Sequence, residues 1–146
     1  MPEATELDNQ ALADSLAMLQ CHAASLNAAR DALSAVISGI GQRLRDIGLG
    51  IGGWVDIATT KEVVRQLGYS KHGGNWHLLL REAKLPDKLP DKQTTWTFCE
   101  GPVWMRIEAV GRIPELLDTL VQRAEEQERL LKLKTLQALG ILEGMH

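Results

Sequence analysis

Apolar residues recur along the first third of the chain in alternating steps of four and three. Leu12, Leu16, Leu19, Ala23, Leu26, Arg30, Leu33, Ile37, Ile40, Leu44 and Ile47 hold these positions, and only Arg30 among them is not apolar. Such steps keep the side chains on one stripe of a helix, the seam of a coiled coil. The pattern predicts a long heptad helix over 8–47, about 60 Å in length at roughly 1.5 Å per residue. Asp8 or Thr5 can cap its start by accepting from free first-turn amides. Gly39 and Gly41 weaken the helix and can bend or split it. Ala and Ser crowd the flanking positions and let another helix come close. A cation at a seam position fixes register or partner choice. Arg30 is expected either to pair with an acidic residue of the C-terminal helix, such as Glu115 or Glu126, or to mark where a partner helix ends.

Glycine then interrupts the pattern, in Gly48-Leu49-Gly50-Ile51-Gly52-Gly53. Formally this is G-x-G-x-x-G, but a dinucleotide fingerprint follows a strand and opens a helix. Here the glycines follow a helix and precede the strand-like run Trp54-Val55-Asp56-Ile57. A helix stop and chain reversal is expected. Thr60–Leu67 reads as a short helix capped by Thr59 or Thr60.

The second clear pattern is a period of two on either side of Gly73-Gly74. Two glycines between alternating runs predict a two-residue hairpin turn, because that turn needs positive φ. Lys71 then faces Trp76, Tyr69 faces Leu78, and Leu67 faces Leu80. Leu67, Tyr69, Trp76, Leu78 and Leu80 form a core face. Gln66, Ser70, His72, Asn75, His77, Leu79 and Arg81 form the opposite one. The tandem Leu85-Pro86-Asp87-Lys88-Leu89-Pro90-Asp91-Lys92 predicts an extended surface loop, since proline cannot donate to a sheet ladder. Thr94–Cys99 alternates Thr against Trp and Phe, as a third strand of this region. Beyond it, Pro102 suits a first helical turn, with Val103, Ile107 and Val110 inward. Pro114 restarts or kinks the chain. Leu117, Leu120, Val121, Ala124, Leu131, Leu136 and Leu139 then recur at helical spacing.

These elements predict a single α+β domain over 1–146. Its parts are the heptad helix at 8–47, a small antiparallel sheet of three or four strands at 51–99, and C-terminal helices at 102–140. The two long helices are expected to pack antiparallel as a hairpin, within the chain or across a dimer. A leucine and isoleucine stripe over five heptads would otherwise far exceed the apolar patch usual on a monomer. The C-terminal seam is shorter and interrupted, and the shortfall argues for self-association.

Composition narrows the functional classes. The chain has 146 residues and a formal net charge of −3, so nothing global attracts nucleic acid. Locally, residues 60–92 carry seven basic and four acidic side chains. Lys61, Arg65, Lys71, Lys84, Lys88 and Lys92 would serve a nucleic-acid accessory protein, the less favoured reading. Cys21 and Cys99 are far apart and outside any C-x-x-C pair, so no zinc ribbon or redox motif is supported. With no apolar run of roughly 18 residues and no export-type leader, a cytoplasmic protein without membrane contact is expected. Both cysteines are then expected to be reduced and buried. His72 and His77 are diagonal neighbours on one hairpin face, short of the three protein ligands of a catalytic zinc.

Four tryptophans stand against one tyrosine and one phenylalanine. Most would fill a small core, but Trp54 and Trp104 are candidates for a partner surface, because Val55, Ile57, Val103 and Ile107 define the inward faces. No nucleophile motif, metalloprotease motif or phosphate loop occurs. Arg106 and Glu108 read as an ordinary surface or interhelix pair rather than a catalytic one. No catalytic, cofactor or metal residue is assigned.

Three stretches carry a resemblance: Gly50–Val55, Leu67–Tyr69 through Gly74–Leu78, and Arg106–Val110 with Ile113–Leu117. In them the chain resembles small uncharacterised bacterial proteins of the mobile-element or accessory-genome kind. That resemblance implies strand–turn–strand then helix and no chemistry. The reading is a non-enzymatic interaction protein or complex subunit, homo-oligomeric through its long helices, with a protein as partner. Residues Arg30, Leu33 and Ile37 on the seam, with Trp54 and Trp104, would make the contact. The alternatives are the nucleic-acid accessory protein and an enzyme with its site near the 67–81 hairpin.

Overall fold

The computed structural model describes residues 2–85 and 93–145. Its order is α1 (Pro2–Ile47), β1 (Gly53–Thr59), β2 (Val63–His72), β3 (Asn75–Lys84), β4 (Gln93–Thr97), a 3-10 turn (Phe98–Glu100), α2 (Val103–Val110) and α3 (Ile113–Gly144). The fold is α+β: a long N-terminal helix, a four-stranded antiparallel meander in the order β1-β2-β3-β4, and a long C-terminal helix. The chain divides into two units, residues 1–38 and 39–146. The described residues of the first lie wholly in α1. The second holds the last turns of α1, the sheet, α2 and α3.

Helix α1 is continuous through Gly39 and Gly41 and ends where the glycines begin. Gly48 has φ of 68° and Gly50 has φ of 64°, the left-handed conformation in which a Cβ is costly. The Gly48 amide donates to the Arg45 carbonyl at 2.9 Å, closing the last turn. Arg45 then donates from Nη1 to the Trp76 carbonyl at 3.0 Å, which ties the end of α1 to the tip of the hairpin.

The hairpin register is the one its alternation predicts. Leu67 pairs with Leu80, Tyr69 with Leu78, Lys71 with Trp76, and His72 with Asn75. Gly73 and Gly74 both have positive φ, as a primed turn requires. The face holding Val55, Leu67, Tyr69, Leu78 and Leu80 is buried. Helix α3 covers it at β1, where a Cβ on Gly53 would stand 3.3 Å from Leu120 Cδ2. From the helices, Met105, Ala109, Ile113, Leu116 and Leu120 complete the core. Between Asp56 and Ala58 the β1 register shifts by a bulge, and Ile57 at that point is buried beside Val55.

Several expectations are corrected. The short helix over Thr60–Leu67 is a tight turn followed by β2. Thr60 Oγ1 does accept amide bonds, from Val63 at 3.1 Å and Glu62 at 3.3 Å, but these close the β1–β2 connection. Consecutive β-branched Val63 and Val64 favour the strand that follows. Helix α2 turns Met105, Arg106 and Ala109 inward and leaves Ile107 exposed, a rotation that its apolar spacing does not announce. Cys21 and Cys99 are both exposed, Cys21 because its whole stretch of α1 faces solvent. The proline-rich loop lies outside the described residues from 86 onward.

Candidate interaction surfaces

The seam of α1 is exposed over its first half. Leu12, Leu16, Leu19 and Leu26 are between 55% and 64% exposed. Leu33 is half-buried and Ile37 is buried. Arg30 is exposed and donates to Asn27 Oδ1 one turn back at 3.4 Å. Glu115, one of its expected partners, is held by Arg112 at 3.1 Å.

Exposed apolar residues continue on α3. Its first turns bury Ile113, Leu116 and Leu120 against the sheet, while Leu117 and Val121 point elsewhere. From Leu130 to Met145 every residue is exposed. Beside the helix run two adjoining grooves. One, of about 340 Å³, lies between Leu44, Ile47 and Leu49 on one wall and Leu117, Val121 and Ala124 on the other. The next, of about 820 Å³, lies between Leu49–Ile51 and the α3 residues Ala124, Glu128, Leu131 and Thr135. Leu49, Ala124 and Glu128 line both, so the trough is continuous.

No family model, curated protein or solved structure matches the chain.

The two candidate tryptophans have different fates. Trp104 is 46% exposed on α2, with the Arg65 guanidinium 4.6 Å from its ring centre. Beside it, Ile107 is exposed as well, which makes a small anchor-like patch. Trp54 instead lies over Gly68, on the sheet face opposite Val55 and Leu67. A Cβ on Gly68 would fall 2.3 Å from its indole, so only glycine lets the ring settle there. Arg81 caps the ring at 3.8 Å and donates from Nε to Gln66 Oε1 at 3.0 Å, and Gln66 donates to Asp56 at 2.9 Å. Burial lowers the Arg81 pKa from its ordinary value. Leu79, opposite Gly68, is buried on this same face, where the alternation alone placed it among polar neighbours. Nothing in the spacing announces this stack. Gly68 within a strand is the signal that could have pointed to it, since an interior strand glycine marks a close approach.

The basic residues do not converge. Arg65 is spent on Glu82 at 3.0 Å and on Trp104. Lys84 pairs with Val63 at one end of the hairpin, and Lys71 lies over Trp76 at 5.9 Å near the other. The two ends are about 27 Å apart at roughly 3.4 Å per residue. Lys61 sits in the β1–β2 turn, and Lys88 and Lys92 lie outside the described residues. His72 and His77 are diagonal neighbours by register, with Ser70 opposite His77. Among the described residues no group of three His, Cys, Asp or Glu is placed to hold a metal. Arg106 is buried and Glu108 is exposed, two positions apart on α2. Among the described residues no helix is long and apolar enough to cross a membrane.

Proposed function

We propose that the protein is a non-enzymatic interaction protein that self-associates through its long helices. One observation carries this reading: the leucine seam of α1 from Leu12 to Leu26 faces water in the single chain. Burying a leucine side chain contributes about 1.5–3 kcal/mol, so a row of them left wet is a large unmet driving force. Of the two covers anticipated, one within the chain and one across a dimer, the second is the one proposed. The flanks of the seam favour a second copy of the same helix. Ala13, Ser15, Gln20, His22, Asn27 and Ala29 occupy the positions where coiled coils carry the charges that select partners. None is Lys, Arg, Asp or Glu, so identical helices meet without flank repulsion, and several are small enough for close approach. The role that follows is assembly: a subunit whose business is to hold chains together.

Light scattering tests this directly. The expected mass in solution is at least twice the 16.1 kDa of one chain. Leu19→Lys with Leu26→Lys should weaken the association, so that the higher mass is reached only at higher protein concentration, while the sheet remains folded. A wild-type chain that stays at the single-chain mass across micromolar concentrations, with α1 helical by circular dichroism, would sink the proposal.

A further inference from the structure

A second seam runs down α3 and assigns an orientation to the assembly. Leu117, Val121, Ala124, Glu128, Leu131, Thr135, Ala138 and Leu142 recur in steps of four and three, and only Glu128 and Thr135 among them are polar. The trough described above lies along the first part of this seam. Past residue 129 the helix changes character. Leu130, Leu131, Leu133, Leu136, Leu139 and Ile141 point in all directions around the axis, since each residue advances by about 100°. Apolar side chains on more than one side of a helix ask for cover on more than one side, and here every one of these residues is exposed.

Charge divides the helix at the same place. Residues 115–128 hold Glu115, Asp118, Glu125, Glu126 and Glu128 against Arg123, whereas 129–142 hold Arg129, Lys132 and Lys134 and no acid. Pairing two copies antiparallel about a point between 129 and 130 brings seam position 117 to 142, 121 to 138, 124 to 135 and 128 to 131. Glu125 and Glu128 of each copy then meet the basic half of the other, beside its Lys132. Parallel pairing in register would instead place Glu128 against its own copy inside the seam, a like-charge contact. Antiparallel pairing also lays the apolar end of each α3 into the trough between Leu44, Leu49 and Val121 of the other, which supplies walls on more than one side.

We propose that two copies of the chain dock α3 antiparallel, the apolar 130–142 end of each seated in the trough of the other. The proposal rests on self-association and adds a second contact surface and its polarity.

Disulfide capture between two differently marked chains is the test. In a Cys21→Ser, Cys99→Ser background, one chain carries Val121→Cys and the other Ala138→Cys. Under mild oxidation the mixture should give a covalent heterodimer in high yield, and either chain alone should give little. Glu125→Lys with Glu128→Lys in both marked chains should cut that yield severalfold. Adding Lys132→Glu with Lys134→Glu to one chain, while the other keeps only the first pair, should recover part of it. Self-crosslinking of the Val121→Cys chain would show parallel pairing and overturn the inference. A two-chain mass by light scattering with no 121–138 crosslink would also overturn it while leaving association through α1 intact. A single-chain mass would overturn both.

Discussion

The β2–β3 hairpin and the first half of α1 carry equally regular apolar patterns and end in opposite conditions. Leu67, Tyr69, Leu78 and Leu80 repeat with a period of two, and their face is buried within the chain. Leu12, Leu16, Leu19 and Leu26 repeat with a period of 3.5, and their stripe is exposed. A sheet finds its cover nearby, because α2 and α3 fold back over it from the same unit. A helix stripe of this length has nothing of matching length to meet in the described residues of its own unit, which is α1 alone. Regular patterning therefore specifies an element and a buried face, but not whose atoms bury it.

The sharpest way to break this contrast is to remove one leucine from each region. Leu80→Ala deletes a fully buried side chain and should cost about 3 kcal/mol, within the 2–5 kcal/mol range of core truncations. Urea unfolding should report that loss at every protein concentration. Leu19→Ala should differ in kind. In dilute solution, where chains are apart, it should change stability by no more than about 0.5 kcal/mol, as exposed substitutions do. In concentrated solution the loss should grow, because the seam leucine is then buried by a partner and stability is linked to association. Equal losses for Leu19→Ala at both concentrations would remove the contrast.

Next in size is the Trp54 platform. Gly68→Ala puts a methyl 2.3 Å from the indole, with strand backbone on one side and Arg81 on the other. The ring must lift, at about 1–3 kcal/mol for an overpacked site. Tryptophan emission should move to the red as Trp54 becomes wetter. An unshifted spectrum with full stability would mean the ring is not held by that glycine. Arg81→Ala probes the other side of the ring more gently, at about 0.5–1 kcal/mol for a stacked cation near the surface.

Much of this was legible because it depends on local chemistry. The hairpin register follows from two glycines and a period of two. Gly48 follows the last seam residue, and the helix stops there. What escaped depends on non-local contacts. Val63–Leu67 fits a helical turn as well as a strand, and only pairing with Ala83, Lys84 and the rest of β3 decides it. Leu79 falls on the face with Gln66 and Arg81, and no alternation says that it will be buried there. On α2, Ile107 is more apolar than Arg106, yet Arg106 is the one turned inward. Candidate surfaces followed the same rule: the α1 stripe was readable along its length, while the exposure of Leu12–Leu26 and the covering of Ile37 were not.

The smallest expected effect again sets the hairpin against exposed surface, through Tyr69. This phenol is buried on the core face, stacked on Trp76 at a ring separation of 5.3 Å. Burial raises its pKa above the ordinary 10.0, and the positive charge of Arg45 pulls weakly the other way. A raised folded-state pKa means that the unfolded chain ionises first. The stabilising contribution is therefore complete below pH 10.0 and is lost as pH climbs through the folded value. Lysines titrate in the same range, so the comparison is with Tyr69→Phe, which keeps the ring and removes the proton. The difference in unfolding free energy between the two proteins should be flat below pH 9 and should shift against the wild type above pH 10. Parallel curves through that range would show that the phenol is as wet as the leucines of α1, and the two regions would no longer differ in the way their patterns end.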